Sequence, residues 1–239
     1  MKLFVIGIGA GDPDYVTMQA VRALNAADVL FLLEKAGEQR ELIELRQEII
    51  ARYVEGTPRI LTAQDPPRGR GAEAVAKWRR QRVDIFEGLV KALAAGESGA
   101  FLVWGDPSLY DGTLAVLDEL RPRIAFEIEV VPGISAPQAL AARHRIALNR
   151  LGGAVHVTTG RRLADGLPAD DVVVMLDGEQ AFSDIEDGVE IYWGAYLGTP
   201  DEILISGMLA EVRDEIAKTR AEARERKGWM FDTYLLRRP

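Results

Sequence analysis

The chain has 239 residues and a hydrophobic content of 48%, which is enough for a substantial core in one large or two modest domains. Charged residues make up 28% and the formal net charge is -8, which excludes a surface built mainly for nucleic acid. The absence of cysteine excludes disulfides, thiolate catalysis and cysteine-ligated metal, and is typical of a cytoplasmic protein.

The apolar start of the chain does not indicate export. Residues 3–8 are too few for the hydrophobic region of a signal peptide, and no cleavage-site pattern follows them. No other segment approaches the roughly 18 apolar residues that a membrane-spanning helix needs. We therefore expect a cytoplasmic chain without a membrane segment.

Residues 2–17, KLFVIGIGAGDPDYVT, are predicted to form a buried strand and a glycine-rich loop, with Thr17 as the N-cap of a helix. The dinucleotide-binding fingerprint would require a third glycine at position 12 and a helix that begins inside the loop. Asp12 occupies that position and Pro13 delays the helix. A standard dinucleotide site is therefore not favoured.

The segment from 34 to 96 is predicted to be mostly helical. Residues 41–54 have helical spacing, residues 64–71 (QDPPRGRG) form a basic loop, and a helix follows that ends near Gly96. The arginines of this region are explained either by a solvated helix face or by an anionic partner. Because arginine pairs with carboxylates in a bidentate manner, Arg68 and Arg70 are candidate ligands of a polycarboxylate substrate.

Residues 100–112, AFLVWGDPSLYDG, are predicted to form a buried parallel strand that ends in a loop. Ligands of open α/β sheets bind at the carboxyl ends of the strands. Gly105 would let a ligand approach the backbone, and Asp106 would accept a hydrogen bond from a ligand or cap the next helix. The alternative is that Gly-Asp-Pro is only a strand-to-helix turn.

A second loop, residues 132–136, follows a predicted strand at 128–131. Gly133 and Ser135 have part of the spacing of a hydrolase nucleophile elbow, with His144 or His156 as the base, but Pro137 replaces the last glycine. We therefore expect Ser135 to cap a helix or to bind a ligand.

The NRLGG segment, residues 149–153, is the predicted boundary between domains 1–150 and 151–239, and a second α/β set follows it. Arg161 and Arg162 lie just after a predicted strand, where they face either a substrate or solvent. The chain contains two histidines without metal-ligand spacing, so no metal site is predicted.

Five ordered motifs resemble those of the tetrapyrrole methylase family: VIGIGAGDPDYVT, VWGDPSLYDGT, EVVPGISAPQA, VVVMLDG and LGTPDEILISGML. The resemblance covers almost the whole chain. It implies two α/β domains, with a largely parallel N-terminal sheet and a mixed C-terminal sheet, and S-adenosylmethionine in the cleft between them. It also implies a homodimer that binds a small-molecule precorrin and neither nucleic acid nor membrane.

The resemblance places the family's cofactor contacts on nine residues of this sequence, which are Ala10, Trp104, Gly105, Asp106, Leu109, Ser135, Ala136, Met175 and Gly207. The sequence departs from the family's pattern in two places. Many relatives have proline where this chain has Ala10. The segment before Thr199 lacks a charged pair that other members often have.

Several strings, including LNAADVLFLLEK and IYWGAYLGTPDEIL, are most similar to members that methylate ring carbon C1 of precorrin-5 and release acetate. Methyl transfer needs alignment and exclusion of water, whereas loss of the acyl group needs proton transfer. The candidate catalytic residues are Tyr110, Asp12 and His156, with Asp111 and Tyr192 as further candidates. Two alternatives are a related methylase with another acceptor and a non-catalytic tetrapyrrole carrier.

Overall fold

The computed structural model describes residues 1–35, 40–69, 71–163, 166–185 and 188–238. It contains two compact units, Met1–Ser135 and Ala136–Pro239. The predicted boundary at residue 150 therefore differs from the division in the structure. The reason is helix α5 (Ala136–His144), which packs on strands of the second sheet and so belongs to the second unit.

The first unit contains a five-stranded sheet. Its strands are β1 (Lys2–Gly7), β2 (Val29–Lys35), β3 (Arg59–Asp65), β4 (Ser98–Val103) and β5 (Glu127–Val131). The spatial order is β3-β2-β4-β1-β5, and each neighbouring pair is parallel. This confirms the parallel N-terminal sheet that the resemblance implies.

Helices cover both faces of this sheet. They are α1 (Met18–Ala26), α2 (Arg40–Tyr53), α3 (Ala72–Lys91) and α4 (Thr113–Leu120). Leu3 and Val5 pack in one core with Phe86 of α3, while Phe4 and Ile6 pack in another with α1. Successive β1 side chains point to opposite faces and both faces are buried, so the strand is a continuous apolar run.

Strand β3 is absent from the predicted elements. Its sequence, RILTAQD, is more than half polar, and its burial alternates between exposed and partly buried residues. It lies at the edge of the sheet, so one side and part of one face meet solvent. Because the sequence signal of such a strand is weak, the segment resembles loop, and the predicted loop at 64–71 overlaps the end of the strand.

The second unit contains a mixed five-stranded sheet. Its strands are β6 (Val155–Thr159), β7 (Asp171–Met175), β8 (Glu190–Ala195), β9 (Ile203–Met208) and β10 (Asp232–Arg237). The order is β6-β7-β10-β8-β9, in which β6 and β7 are parallel and the other neighbouring pairs are antiparallel. The mixed sheet expected for this half is confirmed.

Two further helices complete the second unit, α6 (Gly160–Leu163) and α7 (Leu209–Lys227). Helix α7 ends at Gly228, whose φ of 75° is left-handed, as a C-terminal glycine cap requires. In its core, Arg220 contacts Asp232 at 2.9 Å, and Asp232 also accepts a hydrogen bond from Trp193 Nε1 at 3.0 Å. These buried charges are thus paired. Across the described residues, no helix is both long and apolar enough to span a membrane.

Candidate functional site

The carboxyl ends of β4, β1 and β5 are neighbours at one edge of the first sheet, because these strands are adjacent and parallel. Each strand continues into a loop that the sequence singled out. The β1 loop is residues 8–17, the β4 loop is residues 104–112 and the β5 loop is residues 132–135. The three loops therefore meet at the edge where open α/β sheets bind ligands.

The β1 and β4 loops are joined through their backbones. Gly105 N–H donates to the Gly9 carbonyl oxygen at 2.8 Å, and Gly9 N–H donates to the Gly105 carbonyl oxygen at 3.4 Å. Gly9 has a φ of 87° and Gly105 a φ of 64°, values that L side chains rarely adopt. Glycine at these two positions is therefore required by the contact between the loops.

Three glycine backbones are packed against each other beneath the loops. A Cβ on Gly7 would lie 2.6 Å from Gly133 N and 2.7 Å from the Gly105 carbonyl oxygen. A Cβ on Gly133 would overlap the same Gly105 oxygen and the Gly7 backbone. The predicted role of Gly105 was to admit a ligand to the backbone. The structure shows a second reason for glycine, which is contact between neighbouring loops.

Asp106 ties the β4 loop to the β5 loop. One carboxylate oxygen accepts hydrogen bonds from Ser108, from the backbone N–H at 2.8 Å and from the hydroxyl. The other accepts from Gly133 N–H at 2.9 Å. Burial raises the pKa of the Asp106 carboxyl, but these hydrogen bonds to its charged form have the larger combined effect and lower the pKa. Ser108 was missed in the sequence, although Asp-Pro-Ser is a common Asx-turn pattern.

The three loops are acidic. They contain four aspartates and neither lysine nor arginine; the aspartates are Asp12, Asp14, Asp106 and Asp111. Sites that bind phosphate groups normally supply basic side chains or a helix N-terminus to the anion. The charge of these loops favours a cationic or zwitterionic ligand over a nucleotide phosphate.

The first-unit residues predicted to contact the cofactor lie on this edge. Ala10 and Leu109 are partly exposed, while Ser135 is buried. The Trp104 ring lies 5.2 Å from the Arg46 guanidinium, and its Nε1 is buried without a hydrogen-bond partner. The fold therefore gathers the first-unit part of the predicted set, and it adds Arg46, for which the sequence offered no signal beyond helical spacing.

The second-unit members of the predicted set are spread over that unit. Ala136 is the first residue of α5, and Met175 is the last residue of β7. Met175 shares a row of the sheet with Gly194 of β8, whereas Gly207 of β9 pairs with Ile191. These rows are about 10 Å apart, and β7 and β9 are about 14 Å apart across the sheet. Met175 and Gly207 are therefore not neighbours.

The residues predicted to bind the substrate lie in different parts of the chain. Arg68 follows β3 and is exposed, with its guanidinium 5.3 Å from the centre of the Trp78 ring. Arg70 lies outside the described residues. Arg161 and Arg162 are exposed on α6, directly after β6 in the second unit.

Two of the three candidate catalytic residues lie on the loops of the first sheet. Asp12 accepts a hydrogen bond from Asp14 N–H at 2.8 Å, which caps a short turn. Tyr110 is 46% exposed and has a φ of 53°, an uncommon backbone conformation for tyrosine, and partial burial raises the pKa of its phenol. His156 is exposed on β6, an edge strand of the second sheet.

The other histidine is engaged within the second unit. The His144 Nε2 atom lies 3.0 Å from the Trp193 carbonyl oxygen, and the ring packs edge-on against Tyr192. Burial lowers the pKa of His144, although the Trp193 carbonyl partly opposes this shift. These contacts favour a packing role for His144 over that of a hydrolase base.

The sequence model of the family described as Tetrapyrrole (Corrin/Porphyrin) Methylases matches residues 2–213. The chain belongs to this family, which confirms the resemblance of its five ordered motifs. Among its relatives is the precorrin-6A synthase [deacetylating] of Sinorhizobium sp, which is 49% identical over 248 aligned residues. That alignment covers 99% of this chain and 95% of the relative.

Solved structures share the fold. A cobalamin synthesis related protein, CobF, from Corynebacterium diphtheriae superposes with a TM-score of 0.88 at 36% identity, covering 99% of this chain and 98% of that chain. The uroporphyrin-III C-methyl transferase from Thermus thermophilus complexed with S-adenyl homocysteine has a TM-score of 0.67 at 16% identity. That comparison covers 99% of this chain and 97% of that chain, and shows the fold alone.

Replacing Gly133 by alanine tests the glycine contact between the loops. Because the new Cβ would overlap the Gly105 carbonyl, we expect Gly133→Ala to lower the free energy of unfolding by about 2 kcal/mol or more. Urea unfolding measures this change. Gly88→Ala is the control, since Gly88 lies in helix α3 with open space around it, and we expect it to be neutral or slightly stabilising. Equal stability of Gly133→Ala and wild type would contradict the packing.

Asp106→Asn tests the carboxylate that joins the β4 and β5 loops. An amide keeps one acceptor oxygen but cannot accept at both positions, so we expect a loss of about 1–3 kcal/mol of unfolding free energy at pH 7. Since the folded state lowers the pKa of Asp106, its contribution is fully present above the ordinary pKa and is lost as the pH falls through the lowered value.

The difference between wild type and Asp106→Asn should therefore shrink as the pH falls below the ordinary aspartate pKa of about 4. Urea unfolding over this range measures it. Asp118→Asn, which removes an exposed carboxylate on α4, is the matched control and should change stability little at any pH. A difference for Asp106→Asn that stays constant down to low pH would argue against the role of the charged form.

Proposed function

We propose that this protein is an S-adenosylmethionine-dependent C-methyltransferase of cobalamin biosynthesis that methylates C1 of precorrin-5 and releases acetate to give precorrin-6A. The observation that carries the proposal is the 49% identity to a precorrin-6A synthase [deacetylating] over 99% of the chain. The likeness to CobF at 36% identity supports the same assignment. The more distant methylases support only the fold.

The charge of the three loops supports the cofactor. S-adenosylmethionine supplies the methyl group on a positively charged sulfonium, and it carries no phosphate. Four aspartates without a basic residue suit such a ligand. We assign its binding to Ala10, Trp104, Gly105, Asp106, Leu109 and Ser135 of the first unit, together with Ala136, Met175 and Gly207 of the second.

The rigidity of the loops supports methyl transfer as the chemistry. Transfer to a nucleophilic carbon depends on alignment of the reacting atoms and on exclusion of water. The hydrogen bonds between Gly9 and Gly105, and between Asp106 and Gly133, hold three loops in a fixed arrangement. Such loops position a ligand without supplying a strong acid or base.

Loss of the acyl group requires proton transfer. In the proposed reaction, water adds to the acyl carbonyl, the bond from this carbon to the ring breaks, and its electron pair stays on the ring carbon. Acetate leaves and both protons of the water pass to bases. The ring carbon uses its electron pair to bond the methyl group, whose bond to sulfur would break and leave that pair on a neutral thioether. We assign to Tyr110 a hydrogen bond to the acyl oxygen, because its phenol is exposed on the β4 loop and carries a proton that it can donate. Asp12 and His156 are the further candidates for moving protons.

We extend the proposal to the assembly and location expected for the family, a homodimer in the cytoplasm. The substrate is a small-molecule precorrin, and no metal participates. Sedimentation of the purified protein measures the assembly directly.

Calorimetric titration with S-adenosylhomocysteine, followed by incubation with precorrin-5, tests the function. We expect one site per chain with a Kd of roughly 1–100 μM, and equal amounts of methylated tetrapyrrole and acetate. Binding without turnover of precorrin-5 would move the assignment to a related methylase with another acceptor. No binding at millimolar ligand would favour a non-catalytic tetrapyrrole carrier.

Tyr110→Phe tests the residue assigned to acyl loss. Removing the hydroxyl deletes a donor to the acyl oxygen, so we expect acetate release to slow by roughly 10²-fold or more. The affinity for S-adenosylhomocysteine should stay within about twofold of wild type, because Tyr110 is a partly exposed side chain. Acetate release at the wild-type rate would remove Tyr110 from this step and leave Asp12 and His156.

A further inference from the structure

Two arginine guanidinium groups lie near the ring of Trp78, on helix α3. The guanidinium of Arg68 is 5.3 Å from the ring centroid and that of Arg82 is 5.0 Å from it. Tryptophan is the best aromatic partner for a cation, and arginine also stacks on it through its planar group. The two arginines differ in burial, which indicates that they have different roles.

Arg82 is held inside the protein by an ion pair. Its Nε lies 2.8 Å from Asp65 Oδ1, and the side chains are 8% and 4% exposed. A buried pair of this kind is fixed in place, because separating it would leave an uncompensated buried charge. A Cβ on Gly112 would stand 3.1 Å from Arg82 Nη1, so the guanidinium also lies against the end of the β4 loop. Arg82 is a positioning residue with its charge already neutralised.

Arg68 is exposed, and none of the carboxylates in the described part of the chain forms an ion pair with it. Contact with the Trp78 ring limits the positions that the Arg68 guanidinium can adopt. Because the side chain is exposed, its N–H groups can reach an acceptor. A planar, oriented fork of this kind is suited to bidentate contact with a carboxylate.

Arg68, Trp78 and Arg82 lie beside the three loops of the first sheet. Asp65 is the last residue of β3, so it lies at the carboxyl edge of the parallel sheet. Arg68 follows three residues later, and Arg82 contacts both Asp65 and the end of the loop that carries Tyr110. Arg68, Trp78 and Arg82 therefore lie on the same edge of the sheet as the acidic loops. A ligand with carboxylates that binds beside a cationic cofactor would meet both the arginines and the acidic loops.

We propose that Arg68, oriented by the Trp78 ring and by the buried Arg82–Asp65 pair behind it, binds a side-chain carboxylate of the tetrapyrrole. This inference rests on the proposed function, because a precorrin is a polycarboxylate. The three loops contain no basic side chain of their own, so the carboxylates would be bound by basic side chains outside them. Arg68 meets that need.

Steady-state methylation of precorrin-5 by Arg68→Gln tests the inference. We expect KM for the tetrapyrrole to rise roughly tenfold while kcat stays unchanged, the result of losing one charge-assisted contact that is equal in ground and transition states. Trp78→Leu should raise KM in the same direction by a smaller factor, because Arg68 keeps its charge but loses its orientation. The Kd for S-adenosylhomocysteine should not change in either variant.

Arg80→Gln is the matched control, since Arg80 is an exposed arginine on the same helix. We expect its KM to stay within about twofold of wild type, as for an isolated surface charge. An equal rise of KM in Arg80→Gln and Arg68→Gln would overturn the inference in favour of a general charge effect. An unchanged KM in Arg68→Gln would overturn it outright.

Equilibrium binding separates this inference from the proposed function. Uroporphyrin III, a stable tetrapyrrole with eight carboxylates, is titrated into each variant and its fluorescence is followed. We expect a weaker Kd for Arg68→Gln and a wild-type Kd for Arg80→Gln, whether or not precorrin-5 is turned over. Equal uroporphyrin affinity in wild type, Arg68→Gln and Arg80→Gln would overturn the inference. Absence of precorrin-5 turnover by wild type would contradict only the proposed function.

Discussion

The bond from Gly133 N–H to the Asp106 carboxylate is the interaction on which the candidate site depends. Strands β4 and β5 are not paired, because β1 lies between them. Their loops can meet only by passing over the end of β1, and at Gly7 there is no space for a side chain. The carboxylate bridges the remaining gap at 2.9 Å. The arrangement of all three loops follows from this charged hydrogen bond, from the backbone bonds between Gly9 and Gly105, and from the close contact of Gly7, Gly105 and Gly133.

This constraint leaves the loops with little freedom for acid–base chemistry. Asp106 uses both oxygens to hold the backbone, and Asp111 accepts from Thr113 N–H at 2.7 Å at the start of helix α4. These two carboxylates therefore hold the loops in place, and Tyr110 and Asp12 are the loop residues left as candidates for acid–base chemistry. That agrees with membership of the tetrapyrrole methylase family. The arginine proposed to bind a carboxylate, Arg68, lies outside these loops, three residues after the end of β3.

In the second unit, several ionisable side chains are paired with each other inside the core. Tyr234 O–H donates to the Asp177 carboxylate at 2.6 Å, and Arg220 contacts Asp232 beneath helix α7. Burial raises the pKa of both Asp232 and Tyr234, and the paired arginine opposes the rise at Asp232. These groups are satisfied by their partners, so they indicate a scaffold that fixes helix α7 to the sheet.

The sequence by itself determined the two α/β halves, their parallel and mixed sheets, and the family. Buried strands such as β1 and β4 are continuous apolar runs, and the motifs follow them directly, so local composition carries this information. It also singled out the three loops that meet at one edge of the first sheet, and residues on them such as Asp106.

Only the tertiary structure decided how those residues act. Strand β3 was missed because an edge strand is half solvated, and helix α5 joined the second unit because its packing partners lie on strands far along the chain. The hydrogen bond from Gly133 to Asp106 joins residues 27 apart, and Arg82 meets Asp65 across a loop. Contacts at such separations depend on how the strands are ordered in the sheet, which no local pattern of residues specifies.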